Sequence, residues 1–234
     1  MRTVMMATAV VALWASAAGA QALTIEQRVA ALKQGEQANQ ASLHKYAWLQ
    51  TTKMALKGEV KQTKVESCQY GGAPVPECTE ISSTAMTPSG GPFRRRAEEN
   101  KIKEIKAYMD SVKTLMELYI PVQVAKLDAA ANTGNISVAK NPSAGTAKIV
   151  ISNYAQQGDA VTLVVSDPSQ KLRTASVDTW LNDNSRKVSL AVTFGWLPDG
   201  TRYAADKVLT ASAQNITVTT TMSNFSMAIG SAQQ

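Results

Sequence analysis

The spacing of apolar and polar residues changes period several times along the chain, and each change marks an element. Thr24 precedes Ile25 and has Gln27 three residues on, a capping-box start. Ile25, Val29 and Leu32 then recur at helical spacing, and helix-forming residues run past Gly35 towards His44. From Lys45 the period becomes twofold. Tyr46, Trp48, Met54 and Leu56 share one parity, with polar Gln50 and Thr52 between them, and Lys57-Gly58 offers a turn. Val60 to Cys68 and Cys78 to Thr84 continue as polar, β-capable strands, followed by a Thr/Ser/Pro/Gly-rich loop from Ala85 to Pro92.

The clearest helical pattern runs from about Arg94 to Ile120. Ile102, Ile105, Met109, Val112, Met116 and Tyr119 draw one apolar stripe, which reads as core packing, and Pro121 cannot continue the hydrogen-bond ladder. A weaker helix is predicted from Pro121 to Ala131, ended by Gly134. The remainder reads as antiparallel strands with turn chemistry between them: Ala147–Tyr154, Val161–Val165, Leu172–Leu181, Val188–Trp196 and Ala211–Thr221. In Val188, Leu190, Val192, Phe194 and Trp196 every second residue is apolar, so the sheet has one dry face. The fold class that follows is α+β: a curved, half-barrel-like antiparallel sheet packed on one long and one or two shorter helices, forming a single domain over residues 21–234.

Residues 1–20 stand apart. Arg2 is followed by an apolar run from Val4 to Ala18 and by the small residues Ala18-Gly19-Ala20. That order is a secretory signal peptide, and the run falls short of the ~20 residues of a spanning helix. The mature chain is therefore expected to be periplasmic or secreted, with no transmembrane segment. Export makes the two cysteines legible: Cys68 and Cys78 flank a turn-forming segment and should be a disulfide in an oxidising compartment.

The 234 residues are 44% hydrophobic, enough for one core. The formal charge of +6 is thinly spread, so nucleic acid is not an expected partner. Arg94-Arg95-Arg96 is the one dense cluster; it reads as a solvated loop before a helix, with Glu98 and Glu99 as compensation, or as a contact for an anionic partner. His44 is the only histidine and reads as a helix-end residue; no metal site, cofactor or catalytic constellation is expected. Asp159, Asp167, Asp178, Asp183 and Asp199 mostly fall at turns, where Asp caps its own backbone.

Several short motifs carry a resemblance. Lys57-Gly58-Glu59-Val60, Cys68-Gln69-Tyr70-Gly71, Tyr108-Met109, Tyr119-Ile120-Pro121, Asn153-Tyr154, Gly158-Asp159 and Leu197-Pro198-Asp199-Gly200-Thr201 resemble an uncharacterised family of exported bacterial proteins, from which Val122 departs where a second proline would stand. The order of helix, hairpins, helix and meander resembles, in layout, the lipoprotein-carrier (LolA-like) half-barrels. That layout implies a sheet able to hold an acyl chain. Two readings of function follow. One is a non-enzymatic carrier of a lipid or other hydrophobic ligand, lined by Trp48, Met54, Trp180, Phe194 and Trp196. The other is an envelope protein-interaction or assembly module with a solid core.

Overall fold

The computed structural model describes residues 35, 37–72, 75–84, 92–120, 123–166 and 171–228. The expected signal peptide, most of the expected first helix, the expected loop at 85–91, Pro121, Val122 and the expected turn at 167–170 lie outside the described residues. A helical segment at 37–43 opens the described chain. Ten strands follow: β1 (Tyr46–Leu56), β2 (Glu59–Gln69), β3 (Glu77–Thr84), β4 (Ile136–Asn141), β5 (Thr146–Ser152), β6 (Ala160–Ser166), β7 (Leu172–Trp180), β8 (Lys187–Trp196), β9 (Arg202–Ala211) and β10 (Ile216–Met227). Between β3 and β4 lie α1 (Pro92–Met116) and α2 (Val124–Asn132).

All ten strands form one antiparallel sheet in the order β3-β2-β1-β10-β9-β8-β7-β6-β5-β4. The chain leaves the sheet at the β3 edge and re-enters it at the opposite edge, so the two helices must carry it across the whole width. Ten strands span about 43 Å, and the 25 residues of α1 cover about 37 Å at helical rise. The length of α1 is set by that journey.

Local chemistry explains the reversals. Lys57 and Gly58 both have positive φ (54° and 83°), the pattern of a type I′ turn that matches strand twist. At the β8–β9 reversal, Asp199 accepts from Thr201 N at 2.9 Å and from Thr201 Oγ1 at 2.8 Å. Asn215 adopts φ 49° after a 3-10 turn at Ser212–Gln214, turning β9 into β10. Cys68 and Cys78 sit directly opposite each other on β2 and β3 and form the expected disulfide.

The registers place one row of side chains across eight strands: Ile136, Ile151, Val161, Val177, Leu190, Leu209, Val218 and Met54. The row continues into Gln62 on β2. Against it α1 buries Ile105, Tyr108, Val112 and Leu115, and the turn after the helix buries Tyr119.

Four sequence expectations need correction. The helix ends at Met116 rather than Ile120, and residues 117–119 form a turn. Its buried stripe is centred on Tyr108, Val112 and Leu115, leaving Ile102, Met109 and Met116 at the margins, because those three lie to the sides of the contact line. The expected strand Ala211–Thr221 is two strands meeting at Ser212–Asn215, and β4 and β9 had no assignment. Trp180 stands on the face opposite Val177 and Thr179, since side chains alternate along β7.

Candidate functional site

The covered face of the sheet is not covered evenly. Along the long row, exposure is 1% at Ile151, 2% at Val161, 5% at Val177 and 7% at Leu190. At Leu209, Val218 and Met54 the side chains are only half-buried, although they still touch the core cluster. Along this row the cover is therefore looser at β9, β10 and β1, as it is at Ile136 on β4, while Ala211 and Ile216 in the adjacent row are fully buried. Phe194 joins the same cluster, half-buried, with the Arg202 guanidinium 5.3 Å from its ring.

The neighbouring row on this face changes character at the same place. It is apolar through Leu163, Ala175 and Val192 and then becomes Lys207, Thr220, Thr52 and Lys64. The hydroxyls of Thr52 and Thr220 lie 3.4 Å apart. Lys64 has Glu66 at 2.6 Å and Glu80 at 3.7 Å. Lys207 has no hydrogen bond or ion pair among the described residues, and burial pushes its ammonium below the ordinary lysine pKa. Asp206, next in sequence, belongs to the other face and accepts from Thr221 Oγ1 at 2.9 Å.

A second cluster occupies one end of β1, β2, β9 and β10. Trp48 is 2% exposed and packs with Tyr70 and Phe225, at centroid distances of 5.5 and 6.0 Å. His44 stacks on Tyr70 at 3.9 Å and Tyr203 lies 4.4 Å from Phe225. His44 is thus at a helix end, as its sequence context implied, but it is held in an aromatic stack. The Nε2 of His44 and the Nε1 of Trp48 are buried without a hydrogen-bond partner. Two links bind this end together: Asn39 pairs twice with the Arg202 backbone (2.8 and 3.1 Å), and the Tyr46 hydroxyl donates to Asp199 at 2.9 Å.

The third constellation is structural. Asp159, 1% exposed, accepts from the backbone N–H groups of Tyr154, Ala155 and Gln156 and from the Tyr119 hydroxyl at 2.6 Å. Thr179 and Gln156 extend the network, and the Tyr154 hydroxyl beside it accepts from Gln123 N at 2.7 Å. Every oxygen of the carboxylate is occupied by turn and helix-end donors, which agrees with turn chemistry for Asp159.

The five aromatic and Met residues expected to line a ligand site are therefore scattered. Met54 and Phe194 share the covered face, whereas Trp48 belongs to the end cluster. Trp196 ends β8 with the Lys171 ammonium 5.8 Å from its ring. Trp180 carries Lys187 5.5 Å from its ring and borders an open depression of about 650 Å³ with Gln156 and Asn184. Another depression, of about 450 Å³, lies between α1 and the β7–β8 turn at Tyr108, Asn182 and Arg186. Sequence reasoning missed Lys207, Leu209 and Val218. The turn at Leu197–Gly200 was the available signal, because a tight reversal demands a returning strand directly after it.

Among the described residues no cluster of His, Cys, Asp or Glu could hold a metal ion, and no helix is long and apolar enough to cross a membrane. Arg94, Arg95 and Arg96 lie within the first turns of α1 rather than in a loop before it, and Arg95 pairs with Glu99 one turn on at 3.5 Å, part of the compensation expected for the cluster.

No protein-family model and no curated protein matches the chain, so the resemblance to an exported family gains no support from either comparison. Similar solved structures include a LolA superfamily protein from Nitrosomonas europaea, 7% identical with a TM-score of 0.30, over 82% of this chain and 93% of that one. They also include a domain assigned as an outer membrane lipoprotein-sorting protein from Vibrio parahaemolyticus, 9% identical with a TM-score of 0.33, over 83% and 91% of the two chains. Likeness at this level carries no argument about ligand or mechanism.

Proposed function

We propose that the protein is a non-enzymatic carrier that holds the chain of a lipid or similar hydrophobic ligand against the half-covered part of its sheet, outside the cytoplasm. The observation that carries this reading is the exposure gradient along the long row. In this row the apolar side chains Leu209, Val218 and Met54 continue over β9, β10 and β1 but are only partly buried, whereas the neighbouring row stays closed at Ala211 and Ile216. Half-buried Leu, Val and Met side chains in line are a surface on which an alkyl chain gains burial, at roughly 25 cal/mol for each Å² removed from water. The disulfide supports an oxidising location, since such bonds persist where thiols are not kept reduced.

The test is ligand-dependent stability. Straight-chain amphipaths of about 8 to 18 carbons should raise the melting temperature with concentration, because they bind only the folded state. Native mass spectrometry of protein purified from its own host should show added mass that dissociates as an acyl species. No thermal shift with any chain length, and no adduct, would leave the solid interaction module as the better reading.

A further inference from the structure

Two lysines share one row on the covered face, and the sheet treats them differently. Lys64 is neutralised by Glu66 and Glu80. Lys207, three strands inside it past Thr52 and Thr220, has no carboxylate within ion-pair distance among the described residues. Its strand neighbours on that face are Val192 on one side and Thr220 on the other, and Leu209, two residues along β9, faces the same way. A charge on a half-buried apolar face without a counter-ion is costly for the fold unless something supplies the opposite charge.

We propose that Lys207 anchors the anionic head of an amphipathic ligand, a carboxylate or phosphate on a single alkyl chain, while the chain lies along Leu209, Val218 and Met54. This rests on the carrier reading above and adds the class of head group. The Thr52 and Thr220 hydroxyls, on the same row, supply further donors beside the ammonium. Glu66 does not compete for Lys207, because its carboxylate is engaged by Lys64. Asp206 does not either, being on the opposite face.

The experiment titrates the full, disulfide-bonded chain with dodecanoate, dodecyl phosphate and neutral dodecanol, following binding by calorimetry. Both anions should bind at least about tenfold more tightly than the alcohol, the scale of one charge-assisted contact. The tighter of the two anions identifies carboxylate or phosphate as the natural head. Lys207→Met should erase the preference and Lys207→Arg should keep it. Lys207→Gln, which keeps a polar end without the charge, replaces the methionine variant should that one fail to fold. Equal binding of alcohol and anions, or a preference that survives Lys207→Met, overturns the role of Lys207 and leaves the carrier reading standing. Failure of all three compounds to bind overturns both.

Discussion

The hydroxyl of Tyr119 donates to Asp159 over 2.6 Å in the protein interior, joining the end of α1 to the turn between β5 and β6. The two residues are 40 positions apart, and both are essentially inaccessible to solvent. Thr179 on β7 touches the same hydroxyl at 2.8 Å, so one phenol fixes helix, turn and strand together.

Tyr119→Phe should therefore lower stability by about 1–3 kcal/mol, the cost of leaving a buried polar partner unmatched. Asp159→Ala should cost more, because three backbone N–H groups lose their acceptor as well. Urea denaturation of the two variants gives the ranking, and an undisturbed Tyr119→Phe midpoint would show that the bond adds nothing.

The same phenol makes stability depend on alkaline pH. Burial, and then its bond to Asp159, raise the Tyr119 pKa well above the ordinary 10.0. In the unfolded chain the group ionises near pH 10, while in the folded chain it keeps its proton. Its contribution is thus complete below pH 10 and is lost as pH rises beyond it, at up to about 1.4 kcal/mol per pH unit. Tyr119→Phe should flatten that slope in denaturation curves taken from pH 9 to 11 (about one unit either side of the free phenol). Tyr70, Tyr108 and Tyr154, also raised by burial, keep the slope from vanishing.

Breaking the Cys68–Cys78 bond should cost on the order of 2–3 kcal/mol for a loop this short. Thiol labelling of the denatured protein should find no reactive sulfur before reduction and two after it.

Gly195→Ala should destabilise by about 1–3 kcal/mol through overpacking. A methyl group there would lie 2.7 Å from Tyr203 Cζ, and the Tyr203 ring is itself held against Phe225. A second substitution, Tyr203→Ala, should relieve the clash, so the pair should be less than additive in thermal melts.

Lys207→Met should melt higher than the parent in the absence of ligand. Burial lowers the Lys207 pKa, so at neutral pH the folded state carries a penalty for the charge that disappears only as pH rises towards the ordinary lysine value. Removing the charge removes the penalty. A lower melting temperature for this variant would mean that the ammonium is well solvated.

The hairpins were legible because their turns carry their own chemistry: Lys57-Gly58 and Leu197-Pro198-Asp199-Gly200 mark reversals without any tertiary context. The stripe on α1 was legible in period but not in phase. Tyr108 and Leu115 have apolar neighbours in Met109 and Met116, and only the sheet decides which line of contact wins. β9 was hidden for the reason that makes it interesting. Lys207 lies on the inner parity with Leu209 and Ala211, and that charge interrupts the alternation a buried face ordinarily shows. Trp180 misled in the opposite way, since a large aromatic reads as interior, whereas here its ring is paired with Lys187 on the outer face.

The pairing of β1 with β10 also sets the order in which this chain can fold. Tyr46 lies opposite Met227, and Leu56 opposite Ile216, so the centre of the sheet joins segments from the two ends of the described sequence. A ribosome must finish β10 before β1 gains its second neighbour, and contacts of such separation form slowly. Until then β1 keeps an open edge, and the hairpins on either side remain two independent, half-covered pieces. A chain built this way acquires the central pairing of its sheet only at the end of its synthesis.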